Sequence, residues 1–179
     1  VMLAERGADI VGLDISGPML QQGRSKARAA GVADRLEFLR GDAGRLPFPD
    51  DSFDSVLAMR FFHLADSPAS FLSEMKRVAR DRVVFDTFNS FSTRSVYNWL
   101  LPMGSRLYSK SEVEGLLDRA GLELVEAEHD FVLPYGFYRK IPNRLASSFR
   151  SLDRTVRRVP GGDHLASVTW WHASVDPDI

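Results

Sequence analysis

The chain contains no cysteine, which excludes disulfides, thiolate metal sites and cysteine nucleophiles. It also lacks a charge excess. Its 23 basic side chains stand against 24 acidic ones, and the net charge of -1 gives no global attraction to nucleic acid. No apolar run approaches the roughly 18 residues needed to cross a membrane, and no signal peptide is visible. The four histidines show no H-x-x-x-H spacing, so no metal site is expected. These absences point to a cytoplasmic protein. Its 179 residues, with ordinary apolar and charged fractions, suffice for one domain with a sizeable core.

The chain is organised around residues 8–16. Ile10, Val11, Leu13 and Ile15 form a near-continuous apolar run, the pattern of a parallel strand buried on both faces. The run closes on Asp14, and Ser16-Gly17-Pro18 opens a helix. A carboxylate at the carboxyl end of such a strand can accept both ribose hydroxyls of a nucleotide, whether NAD, FAD or S-adenosylmethionine (SAM). The competing reading is an aspartate that only caps the next helix, and Ser16, a competent cap itself, weakens it.

Alternation of strand and helix continues from there. Val1 to Gly7 reads as the last turns of a helix stopped by Gly7, which suggests that a segment precedes Val1. Residues 17–30 read as a helix closed by Gly31, 36–40 as a strand, and 46–52 as a loop dense in Pro and Asp. A strand over 53–59 follows, then a helix from Ser67 and Pro68 with Phe71, Leu72, Met75 and Val78 on one face. Val83-Val84-Phe85 marks a fourth strand, within 82–88. Residues 89–107 are expected to be a short helix or loop near a site. Ser109 and Glu112 have capping-box spacing, before Val113, Leu116, Leu117 and Ala120 and a stop at Gly121. Strands over 122–131 and 165–172 complete the pattern, the last with Ala166, Val168, Trp170 and His172 on one face. The expected fold is α/β, a doubly wound, Rossmann-like, mostly parallel sheet ending in an antiparallel strand.

Four pieces, in order, resemble a class I SAM-dependent methyltransferase of the small-molecule, ubiquinone-biosynthesis-like group. They are DIVGLDIS with GPML, EFLRGDAGRLPFPDDSFDSV, FFHL, and YSKSEVEGLLDRAGLELVE. The second is the most specific, and the resemblance covers about residues 1–131. It implies that Asp14 binds the ribose hydroxyls of SAM and that Ile15 lies against the adenine. Asp42 would accept the adenine amino group, with Ala43 supplying a neighbouring N–H, and Met59 would border the methionine portion. Asp14 and Asp42 lie one strand-helix-strand unit apart, which puts both carboxylates at one sheet edge. The bland reading of Asp42 is a loop-initiating aspartate. The family's glycine-rich loop is not among these residues: no G-x-G occurs, and Val1 aligns within the helix after that loop. The strand that precedes it would lie between the strands ending at Asp14 and Met59.

Methyl transfer to a hydroxyl or amine needs a base, and His63 is the candidate, with a histidine that only shapes the pocket as the alternative. His129, His164 and His172 read as structural or surface groups. No Asn/Asp-Pro-Pro-aromatic motif follows Met59, against methylation of nucleic-acid base amines or glutamine. Residues 133–160 read as an insertion, a helical lid. Ile141, Leu145, Phe149, Leu152, Val156 and Val159 alternate there with Arg139, Lys140, Arg144, Arg150, Arg154, Arg157 and Arg158. The basic face over 139–158 is either solvated or meets an anionic membrane surface or an acidic substrate. Tyr97, Trp99, Tyr108, Tyr135 and Tyr138 are candidates for an apolar acceptor pocket, with core as the alternative for each. The leading function is methyl transfer from SAM to a small, lipophilic O-, N- or C-acceptor. The alternative is a cofactor-dead, methyltransferase-like scaffolding subunit. An NAD-dependent oxidoreductase fits Asp14 but leaves Asp42 and Leu46-Pro47-Phe48 unexplained.

Overall fold

A computed structural model describes residues 1–92, 95, 105–130 and 166–176. They fall into two compact units, Val1–Pro49 and Asp50–Ile179.

The first unit is a strand-helix-strand element. A 3-10 turn, Ala4–Arg6, ends at Gly7, whose φ of 98° is open to glycine without steric cost and lets its N–H reach Ala4 O at 2.9 Å. The expected helix end is therefore a tighter turn than an α-helix. Strands β1 (Ile10–Asp14) and β2 (Leu36–Arg40) pair in parallel, Asp14 opposite Arg40. Between them runs α1 (Gly17–Ala29), capped by Ser16, whose Oγ accepts the Met19 N–H. Its Leu20 and Ala27 are buried. Gly12 and Gly23 make room for the Phe38 ring: a Cβ at Gly23 would lie 2.5 Å from it, and one at Gly12 3.1 Å. Every residue of β1 is half-buried rather than enclosed on both faces. Among the described residues of this unit, α1 is the only α-helix against it.

The second unit is a four-stranded mixed sheet in the order β3-β4-β6-β5. Strand β3 (Phe53–Ala58) runs parallel to β4 (Ala79–Phe88), which begins three residues before the expected bound at 82. Strand β6 (Val168–Ser174) inserts antiparallel between β4 and β5 (Glu123–Asp130). Helices α2 (Pro68–Val78) and α3 (Lys110–Ala120) pack on each other and on the sheet. The Ser109/Glu112 capping box opens α3, and Gly121, φ 67°, closes it. Leu72, Met75, Val83, Phe85, Val113, Leu117 and Trp171 build the core. On β6 it is Thr169, Trp171 and Ala173 that face inward, and the strand starts and ends later than the sequence suggests. Its partner β4 sets that register: Trp171 lies opposite Phe85, and its indole N–H donates to Thr87 Oγ1 at 2.8 Å.

Candidate functional site

In the first unit, β1 and β2 deliver Asp14 and Asp42 to the same end of one sheet. Gly41 N–H donates to Asp14 O at 3.2 Å, so the ladder runs to the residue before Asp42. Asp14 is half-buried, and its Oδ1 accepts the Ser16 N–H at 2.8 Å. The helix cap is Ser16, so capping does not occupy Asp14. Its other carboxylate oxygen has no hydrogen-bond partner among the described residues and is available to a hydroxyl donor. Ile15 is 69% exposed beside it, an apolar surface with no core role. Asp42 is exposed, its Oδ1 accepting the Gly44 N–H at 2.8 Å in a turn that also holds the half-buried Ala43. A cavity lined by Gly12, Leu13, Asp14, Met19, Leu20 and Phe38 opens beside these groups. Two carboxylates and an exposed apolar side chain thus stand at one end of the β1-β2 pair.

In the second unit, the ends of β3 and β4 gather a different set. Met59 lies one residue beyond β3, 55% exposed. Arg60 follows with φ 54°, a left-handed conformation that a non-glycine residue adopts at a cost. Its N–H donates to Asp86 Oδ1 on β4. Asp86 is 3% exposed. Burial raises its pKa above the ordinary carboxylate value, opposed by the Arg60 N–H and by the charges of Arg60 and His63. His63 sits in the helical turn Phe62–Leu64, half-buried, with its ring 4.8 Å from the Phe88 ring. The Arg106 N–H donates to His63 O at 3.2 Å.

The structure thus places Asp14 and Asp42 at one end of the β1-β2 pair in the first unit, and Met59 and His63 on the segment that follows β3 in the second. Sequence reading missed Asp86. The signal was there: a carboxylate interrupting the apolar run Val83-Val84-Phe85-Asp86-Thr87-Phe88. Tyr108 leaves the candidate pocket aromatics and joins the core, 2% exposed, its hydroxyl donating to Phe62 O at 2.9 Å. Burial raises its pKa. His129 is a cross-strand partner, its Nδ1 3.0 Å from Thr169 Oγ1. Within the second unit, Asp50 pairs with Arg77 at 2.9 Å, Asp51 N–H donates to Arg77 O, and Asp54 of β3 pairs with Arg80 at 2.8 Å. Tyr97, Trp99, Tyr135, Tyr138, His164 and the basic segment 133–160 lie outside the described residues. Among the described residues, no helix is long and apolar enough to cross a membrane.

Residues 1–85 match the family model described as "Methyltransferase domain". A demethylmenaquinone methyltransferase of Thermus thermophilus is 47% identical over 81 residues, covering 44% of this chain and 36% of that protein. A sterol 24-C-methyltransferase of Gibberella zeae is 31% identical over 118 residues, 66% of this chain and 28% of that one. The chain thus spans less than half the length of either relative. A solved geranyl diphosphate methyltransferase in complex with SAM superposes with a TM-score of 0.68 at 14% identity, covering 98% of this chain and 72% of that one, a likeness of fold. The methyltransferase domain match covers residues 1–85, and these likenesses support a class I SAM-dependent methyltransferase of the small-molecule group.

Proposed function

We propose that the protein transfers a methyl group from SAM to a small, lipophilic acceptor at oxygen, nitrogen or carbon. The observation that carries this reading is the pair Asp14 and Asp42 at the ends of adjacent parallel strands, inside the segment that matches the family. Asp14 accepts the ribose hydroxyls, Ile15 covers the adenine, and Asp42 with the Ala43 N–H meets the adenine edge. Met59 borders the methionine portion. SAM supplies an already activated methyl on its sulfonium, so the chain's own work is to hold the acceptor in line and to remove its proton. His63 accepts that proton, becoming imidazolium as the sulfonium charge is lost. The named relatives act on sterol and demethylmenaquinone, both lipophilic, which supports the acceptor class.

Calorimetric titration with S-adenosylhomocysteine, beside Asp14→Ala, tests the cofactor site. Micromolar binding weakened in the variant by about tenfold or more is expected, the loss of charge-assisted hydrogen bonds. A folded chain that binds no S-adenosylhomocysteine would overturn the reading in favour of a scaffolding subunit.

A further inference from the structure

Asp86 is a buried carboxylate with no part in the cofactor roles assigned above. It stands on β4 two residues before Phe88, so both side chains project from one face of the strand. The His63 ring rests 4.8 Å from that of Phe88, close enough to the carboxylate for its charge to act on Asp86. Asp86 also accepts the N–H of Arg60, three residues before His63, and so holds the left-handed turn from which the His63 segment departs. A strained turn and a nearly inaccessible carboxylate at the end of a parallel strand are both costly, and they occur at one point.

We propose that Asp86 is a positioning residue for His63: it fixes the Arg60 turn and supplies the negative charge that stabilises the protonated imidazole. The catalytic consequence rests on the reading of His63 as the proton acceptor; the coupling between the two groups does not. A base that becomes cationic gains from a fixed anion in a site of low polarity, because the charge need not be solvated by water at the moment of transfer. Arg60 beside Asp86, and Arg106, whose guanidinium stacks 4.8 Å from the Tyr108 ring, oppose that charge, and Glu112 partly offsets Arg106. Asp86 is the anion that β4 presents to His63.

The test follows the His63 ring signals by NMR through a pH titration of the 179-residue chain, assigned by their absence in His63→Gln. In Asp86→Asn, which keeps an acceptor for the Arg60 N–H, the His63 midpoint falls by about 1 unit. Asp86→Glu restores part of the shift, and the other histidines do not move. A folded Asp86→Asn chain with an unmoved His63 midpoint overturns the proposal. Should that variant not fold, the reciprocal experiment decides: the Asp86 carboxyl carbon titrates at higher pH in His63→Gln than in the parent, and an unchanged Asp86 overturns the coupling. Methyl transfer retained in His63→Gln, together with a His63 shift in Asp86→Asn, would sink the proton-acceptor reading and leave the coupling intact.

Discussion

The two units solve the same problem, a strand end that presents functional groups, with very different amounts of core. In Val1–Pro49 the buried apolar side chains among the described residues are Ala4, Leu20 and Ala27, and the two strands stay half-buried. In Asp50–Ile179 thirteen buried residues form one cluster under a four-stranded sheet. Asp14 and Asp42, the proposed cofactor carboxylates, thus stand on the lightly packed unit, and His63 with Asp86 stands on the densely packed one. Two strands and one helix bury little area, so local openings there cost less free energy than in a sheet with helices packed on it. Binding of a ligand to Asp14 and Asp42 would add stability where the unit has least.

The comparison breaks most visibly in the larger core. Phe85 is fully buried and rings Phe62 at 4.6 Å. Phe85→Ala should cost about 3–5 kcal/mol by denaturant unfolding, with amide protection collapsing across β4 and β6 together. Protection confined to a few amides would argue against one cooperative core. A smaller effect is expected in the first unit. Gly23→Ala gains helix propensity but drives a Cβ into Phe38, and overpacking of this kind costs about 1–3 kcal/mol. Hydrogen exchange should accelerate in β1 and β2 while β4 stays protected. Uniform acceleration in both units would show that they open as one. The smallest change concerns α3. The N–H and hydroxyl of Ser109 hold Glu112 below its usual carboxylate value. Because the folded pKa is the lower one, this stabilisation is complete above the unfolded value of about 4.3 and fades as pH falls through the folded one. Ser109→Ala should cost about 1 kcal/mol near neutrality and less in acid, measured by thermal unfolding at both pH values.

Legibility in the sequence followed the range of the interactions. The bounds of β2, the capping box of α3 and the stop at Gly121 were readable because each depends on residues within one turn or on strict alternation. Asp14 and Asp42 were readable for a related reason: a strand-helix-strand unit puts successive strand ends side by side whatever the helix contains. The face of β6 was not. Its residues are apolar on both sides, and only pairing with β4 and β5 turns Thr169, Trp171 and Ala173 inward. Tyr108 is similar. An aromatic with a hydroxyl suits a pocket rim or a core, and the carbonyl of Phe62 decides for the core.

The sequence alone determined the α/β alternation, the helix caps and the pair of aspartates that follow their strands, since local sterics and periodicity govern all of them. Tertiary structure decided the rest: that α1 leaves β1 half-buried, that β6 lies between β4 and β5, and that Asp86 meets the Arg60 N–H near His63. Residues 60 and 86 are brought together by parallel pairing of β3 with β4, and no local rule says which polar group will satisfy a carboxylate buried there.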